Sequence, residues 1–502
     1  MFGDWTWFPF LGYSLSRLPK FSEQVLSLDL RSLALFRVGL GIYTAVDVLL
    51  RLGDLRAFYT DFGVLPRAAV AGEFANYWHI SLHMASDAMW WQALLVCLCG
   101  AAGLALAVGY RTWTATLICW ALSVSIQNRN DPVLDGGDMV HRLLLFWAMF
   151  LPLGRIWSVD AIRAGTQAVE RAYHFGLGSI ALTIQMASIF LIAAKVKSGP
   201  QWRKDFSAVW IVLNWDIYTT AIGIWIRQFP GLTRVFTVGA VAVEAVGPLL
   251  LFVPWAPARV FALLCMIGLH ASFVVVMKLL GFASIMILGW FSLMPGWFWE
   301  KLGVPVEMNE RWRRWFARLS DILPGGAGWA PLERWPRAMA MICALCLFYV
   351  CCWNVRAVFP RFKAVFPHDV DALGYTLRID QFFFMFAPSP VHEDGWYVVP
   401  GRLTDGRWVD AFRGGPLTWD RPASVADSYI NRRWRRYLWT VTEAKSAAHR
   451  KYFAAYICRE WDRRHEEVLQ GFDVILMMET ANSDYTVTPP KRVVLWQDHK
   501  CH

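Results

Sequence analysis

A lysine beside a glycine-proline turn, at the mouth of an apolar run, is the feature of this 502-residue chain that most invites chemistry. The segment is QMASIFLIAAKVKSGPQW, residues 185–202, with Lys195 and Lys197 closing the run and Trp202 five residues beyond Lys197. An ammonium in that place has two fates. It can snorkel to the lipid headgroups. Or it can be held in an apolar pocket, where desolvation favours the neutral amine and makes it a usable base. Other reactive side chains are scattered. QNRNDPVLDGGD, residues 127–138, crowds Asp131, Asp135 and Asp138 beside Asn130 in a turn-rich stretch. That stretch reads either as a solvated loop with helix caps or as the rim of an active site. Glu244 lies inside an apolar run, where a carboxylate is by default a functional or pairing residue. His270 lies inside another, where a lone histidine is ordinarily a hydrogen-bonded core residue. His79 and His83 would share one helix face, but no third ligand accompanies them, so a solvated or capping role is expected in place of a metal.

The elements that must position these groups are apolar. Hydrophobic residues make up 56% of the chain and charged ones 18%, and mean hydropathy is +0.35. Apolar runs near 33–52, 89–109, 112–126, 139–153, 177–196, 235–253, 260–277, 282–297 and 338–353 approach membrane-spanning length. The expected fold is an all-α polytopic membrane bundle of about nine transmembrane helices with a C-terminal extracytoplasmic α+β domain. Its parts are an N-terminal cytoplasmic or interfacial segment (1–30), the transmembrane domain (31–300), an Arg-rich loop (301–337), a last span (338–354) and the tail domain (355–502). The net charge of +10 sits mainly in loops flanking apolar runs, and no nucleic-acid motif is present. The bilayer explains those cations more simply than nucleic acid does, and the 29 tryptophans fit an interfacial belt.

Arg311, Arg313, Arg314, Arg318, Arg334 and Arg337 assign the 301–337 loop to the cytoplasm by the positive-inside rule. Counting spans from there gives a cytoplasmic N-terminus. It puts the 56–88 loop, the aspartate loop, the Lys197 mouth and the tail together on the other side. Arg37 and Asp47, both in the first run, are expected to point into the bundle and pair with other helices. That run suits a permanent helix better than a cleaved signal peptide. Residues 203–234 read as interfacial or re-entrant. In the tail, 394–412 reads as a hairpin or small sheet and 431–466 as one helix. Residues 374–390 read as the packed link between membrane and tail. Eight cysteines lie in apolar runs; Cys458 and Cys501 could pair if the tail faces an oxidising compartment.

Taken together, several stretches resemble the vitamin K-dependent γ-glutamyl carboxylase family, whose membrane part is called the HTTM domain. They are FRVGLGIYTAVDVLLR, FYTDFGVLPR, NRNDPVLDGGD, PLGRIWSVDA, FLIAAKVKSGPQW and LHASFVVVMKLLGFASIMI, together with the Glu244 helix. The resemblance covers about residues 25–300. In that family a lysine in the matching segment deprotonates a reduced quinone, oxygen then yields a strong base, and a substrate glutamate is carboxylated. By position Lys197 matches that lysine and Lys195 does not. The carboxylase carries an Asn-His pair where this chain has Asn130-Asp131, which implies a changed reaction or a lost one. His270 and Glu244 match polar positions of the membrane domain.

Two functional readings follow. The first is a quinone-dependent, carboxylase- or oxygenase-like lyase of a bacterial inner membrane, its C-terminal domain periplasmic. Lys197 is its general base, with Asp131 and His270 as further catalytic candidates and Asn130, Trp202 and Glu244 as candidates for holding a reduced, vitamin K-like quinone. The second is a non-enzymatic scaffold or accessory subunit of a membrane complex, whose extracytoplasmic domain docks a protein partner.

Overall fold

The structure, a computed structural model, describes residues 18–165, 171–325 and 331–501. Part of the expected N-terminal segment, residues 1–17, lies outside the described residues. The molecule is mostly helical, with a β-sheet near its C-terminus. Among the described residues, six helices are long and apolar enough to cross a membrane. They are Leu30–Leu50, Met89–Val108, Leu177–Val196, Pro230–Leu250, Ala256–Val276 and Pro336–Val358. The last three of these show exposed apolar flanks, among them Val235, Phe236, Phe261, Leu264, Leu345 and Phe348. The chain is a membrane protein.

Three of the nine expected spans are of another kind. Thr112–Arg129 ends in Gln127, Asn128 and Arg129, all buried. Gly136–Ala148 has 13 residues and Leu280–Phe291 has 12. At about 1.5 Å per residue, 13 residues cover only about 20 Å of a hydrocarbon core about 30 Å thick. Gly136–Ala148 is the centre of the apolar core, with Val140, Leu143, Leu144, Leu145 and Trp147 all buried. Asp135 starts it, accepting from the N–H groups of Gly137 and Asp138, while Asp138 returns a bond from the Asp135 N–H.

Small residues let the first two long helices meet. A Cβ on Gly41 would come within 2.5 Å of the Gly103 carbonyl oxygen, and one on Gly103 within 2.8 Å of the Gly41 oxygen. Only glycine permits that approach. The terminal nitrogens of the buried Arg37 donate to the carbonyl oxygens of Leu153, Ile156 and Trp157 at 2.7–3.2 Å.

The tail folds onto one rim of the bundle. Strand Leu469–Thr480 is its backbone. One edge pairs antiparallel with Glu393–Val398 and then Pro400–Leu403; the other pairs with Lys491–Lys500. Pro400–Leu403 and Trp408–Asp410 form the hairpin expected around Asp405-Gly406. The long strand and its C-terminal partner, joined through the turn-rich residues 481–490, are a structural addition to that expectation. The single helix expected over 431–466 is instead two, Arg432–Thr442 and Arg450–Arg464. The first ends after Thr440, Val441 and Thr442, β-branched residues that crowd a helix, and the chain turns out at an extended Glu443. A disulfide joins Cys458 to Cys501. The sheet and helices share an apolar cluster with the 55–74 loop, including Leu55, Phe58, Tyr59, Trp434, Tyr437 and Phe453.

Candidate functional site

The Leu177–Val196 helix ends because Gly199 and Pro200 follow. Lys197 is its C-cap, donating its N–H to the Ala193 carbonyl. Arg203 returns from the next turn and donates to the carbonyl oxygens of Lys197 (2.9 Å) and Ala194 (2.8 Å). A cation on the free carbonyls of a helix end complements its dipole. Gly199 lies backbone to backbone with the tail: its N–H donates to the Pro388 carbonyl at 2.9 Å, and a Cβ would fall 1.9 Å from Ser389 Oγ. The turn that stops the helix is therefore also where the tail closes over it.

That geometry turns the two lysines apart. Lys195 is exposed. Lys197 is buried, its Nζ 2.5 Å from both oxygens of Glu244, itself buried on Pro230–Leu250. The same ammonium lies 5.1 Å from the Trp202 ring. Trp202 is fixed in turn, its Nε1 donating to the Phe386 carbonyl at 2.9 Å.

His270 is near the pair. A Cβ on Gly247 would sit 3.1 Å from Met266 Sδ, so these two positions face each other across antiparallel helices. Glu244 is three residues before one and His270 four after the other, about one turn in the same direction. His270 is fully buried among Phe190, Phe273 and Phe282. Its Nδ1 is 2.6 Å from the Met266 carbonyl, which can only accept, so Nδ1 carries the proton. Nε2 is left as a buried lone pair with no protein partner among the described residues.

Asp131 is placed elsewhere. Its carboxylate is 56% exposed, 3.8 Å from His79 and 3.9 Å from Arg378. No hydrogen bond or ion pair joins it to Lys197 among the described residues. Asn130 is buried and donates to the Phe58 carbonyl at 2.8 Å; its Oδ1 has no partner among the described residues. His79 and His83 sit in a loop and serve it structurally. Burial pushes His83 down to about 4, against the raising effect of Gln92, whose Oε1 is 2.5 Å from Nδ1. His79 is lowered by burial and then by the Arg378 guanidinium beside it. Near the same rim, burial pushes Asp394 up to about 7, although the N–H groups of Gly395 and Ile217 favour its ionised form.

Asp47 points inward and is paired as expected, but in a larger charge cluster with arginines from the tail. Asp47 accepts from Arg51 at 2.7 Å, from Arg433 at 3.0 Å and from Arg432. Asp138 accepts from Arg51 and Arg433, each at 2.8 Å on Oδ1. Asp135 accepts from Arg432 at 3.0 Å. Asn431 caps the tail helix and also donates to Asp54 at 2.7 Å. This network clamps the tail to the bundle. Its carboxylates Asp47, Asp135 and Asp138 stand out in the sequence, but the only signal for their tail partners is a pair of arginines after a capping asparagine, which many surface helices share.

No family model matches the chain, and no curated protein or solved structure is significantly similar to it. Fold and site together define an integral membrane protein whose tail packs on the turn beside a buried lysine–glutamate pair.

Proposed function

We propose that the chain is a membrane enzyme of the γ-glutamyl carboxylase-like class, acting on a lipid-soluble, quinone-like substrate with Lys197 as general base. The observation that carries this reading is the Lys197–Glu244 pair. A buried pair of opposite charges is weak evidence for stability, because desolvation offsets most of the attraction. Ionisable residues at membrane depth are by default functional. Movement of one proton from Nζ to the Glu244 carboxylate leaves a neutral amine and a neutral acid, so the base is generated inside the pair without water. The orphaned Nε2 of His270 and the ring of Trp202 fit a flat molecule with polar oxygens: Trp202 to stack on it, His270 to accept a hydrogen bond from a hydroxyl. A reduced quinone would supply acidic hydroxyl protons there. Asp131 is left to the rim, away from this pair.

We also propose nine passes, with the tail and the Lys197 mouth outside the cytoplasm of a bacterial inner membrane. Inside a bundle a short or polar helix can traverse, because its backbone and side chains meet protein and not lipid. The disulfide favours an oxidising compartment for the tail. The accessory-subunit reading keeps one observation of its own: the tail is docked so extensively that the bundle could serve as its platform.

Purification in mild detergent with mass spectrometry of extracted lipids tests both readings. A quinone retained in proportion to protein, kept in Lys195→Ala and lost in Lys197→Ala at unchanged elution volume, is expected. Stoichiometric protein partners with no bound quinone would replace the enzyme by the accessory subunit.

A further inference from the structure

On the rim away from the tail, helix Glu310–Ile322 carries Arg311, Arg313, Arg314 and Arg318 among Trp312, Trp315, Phe316, Leu319 and Ile322. At helical periodicity the apolar side chains fall in one stripe with arginines on its flank and back. The protein covers only part of that stripe. Phe316 is buried, whereas Trp312 is 58% exposed, Trp315 45% and Ile322 79%. The helix is held fixed from beneath: Arg163 donates to the carbonyl oxygens of Ser320 (2.8 Å) and Leu323 (2.9 Å). The two exposed indoles lie edge to face, 5.9 Å apart. Arg313 pairs with Glu310 at 3.3 Å. The guanidinium groups of Arg311 and Arg318 have no protein partner among the described residues.

We infer that this helix lies in the headgroup layer of its leaflet and binds acidic glycerophospholipids. Trp312, Trp315 and Ile322 enter the acyl boundary, and Arg311, Arg314 and Arg318 hold lipid phosphates. Each feature has its physical cause. Uncovered indoles beside apolar spans are most stable at the membrane–water interface. A guanidinium fork matches a phosphate diester through two parallel hydrogen bonds. The helix itself carries four arginines against Glu310 and Asp321, a net charge of +2 that favours acidic over zwitterionic lipid. The inference stands apart from the catalytic reading, since it involves the opposite rim.

Delipidated protein in detergent, titrated with phosphatidylglycerol or phosphatidylcholine and read by native mass spectrometry, tests it. Phosphatidylglycerol adducts should form in preference. The triple substitution R311Q/R314Q/R318Q should weaken them at least about tenfold and leave phosphatidylcholine unchanged. R361Q/K363Q, at exposed positions of the tail rim, should behave as the parent. If the triple variant fails to fold, Arg318→Gln alone should still weaken phosphatidylglycerol about threefold. Unchanged acidic-lipid binding in the variants, an equal loss in the tail-rim control, or displacement of the lipid by millimolar inorganic phosphate would overturn it. So would a co-purifying protein that shields this helix from the lipid.

Discussion

An ammonium and a carboxylate that leave water together keep their charge only while each has the other. For Lys197 and Glu244 both partners are buried and doubly bonded, so removing one strands the other. Lys197→Met should cost about 3–5 kcal/mol of stability, and Glu244→Leu about as much. The double variant should recover most of the loss, because two apolar side chains suit the site as well as the ion pair does. Lys195→Met, at an exposed position, should change little. Thermal unfolding of the four variants in detergent measures this, and additive losses in the double variant would show the two residues to be uncoupled. The sequence made each residue stand out by its setting. It could not join them, since a separation of 47 residues carries no information on which helices are neighbours. His270 was legible in the same partial way: its burial followed from the apolar run, but its bare nitrogen depends on where Met266 and three phenylalanines fall.

At the scale of elements, the tail helix Arg432–Thr442 is bound by charge as much as by packing. Arg433 bridges Asp47 and Asp138; without it the two share Arg51, and only Asp47 has a further arginine, Arg432. Arg433→Ala should leave two buried carboxylates under-neutralised and weaken tail docking by about 3 kcal/mol. The released population would then rise roughly a hundredfold, and limited trypsin digestion of the tail should accelerate accordingly. Arg433→Lys should rescue little, because a point charge cannot bond two carboxylates in the fork geometry. Digestion unchanged in both variants would mean that the apolar contacts of Trp434 and Tyr437 hold the tail by themselves. Helices were the most legible elements, and their extents the least. Hydropathy cannot tell a helix that faces lipid from one buried in the bundle core. Gly136–Ala148 and Leu280–Phe291 are of the second sort, which is why the apolar runs overstate their lengths. The split at Glu443 was hidden because the flanking helices keep helical spacing of apolar residues on both sides of it.

Over the whole molecule, contacts sort the loops into two rims. On one, the tail meets the 56–88 loop, the aspartate loop and the Lys197 turn: Arg459 donates to the Phe62 carbonyl, Arg436 to that of Leu134, and Gly199 to that of Pro388. On the other, Arg31 donates to the Val304 carbonyl, Trp157 to that of Val306 and Arg111 to that of Gly325. Charge bias in the loops had implied the same division, because arginines that resist translocation must gather on one side. The division predicts a labelling pattern. Single cysteines at the exposed positions Tyr77 and Lys445, in a background lacking the free thiols, should react together with an impermeant maleimide from one side of sealed vesicles. A cysteine at Arg313 should react only after the membrane is opened, or only in vesicles of the opposite orientation. Because Tyr77 and Lys445 border loops joined by Lys451 and Tyr452 to Glu73, opposite-side labelling of these two would require the tail to be undocked in the membrane. It would open the Lys197 turn to water and with it remove the dry setting that the proposed general base requires.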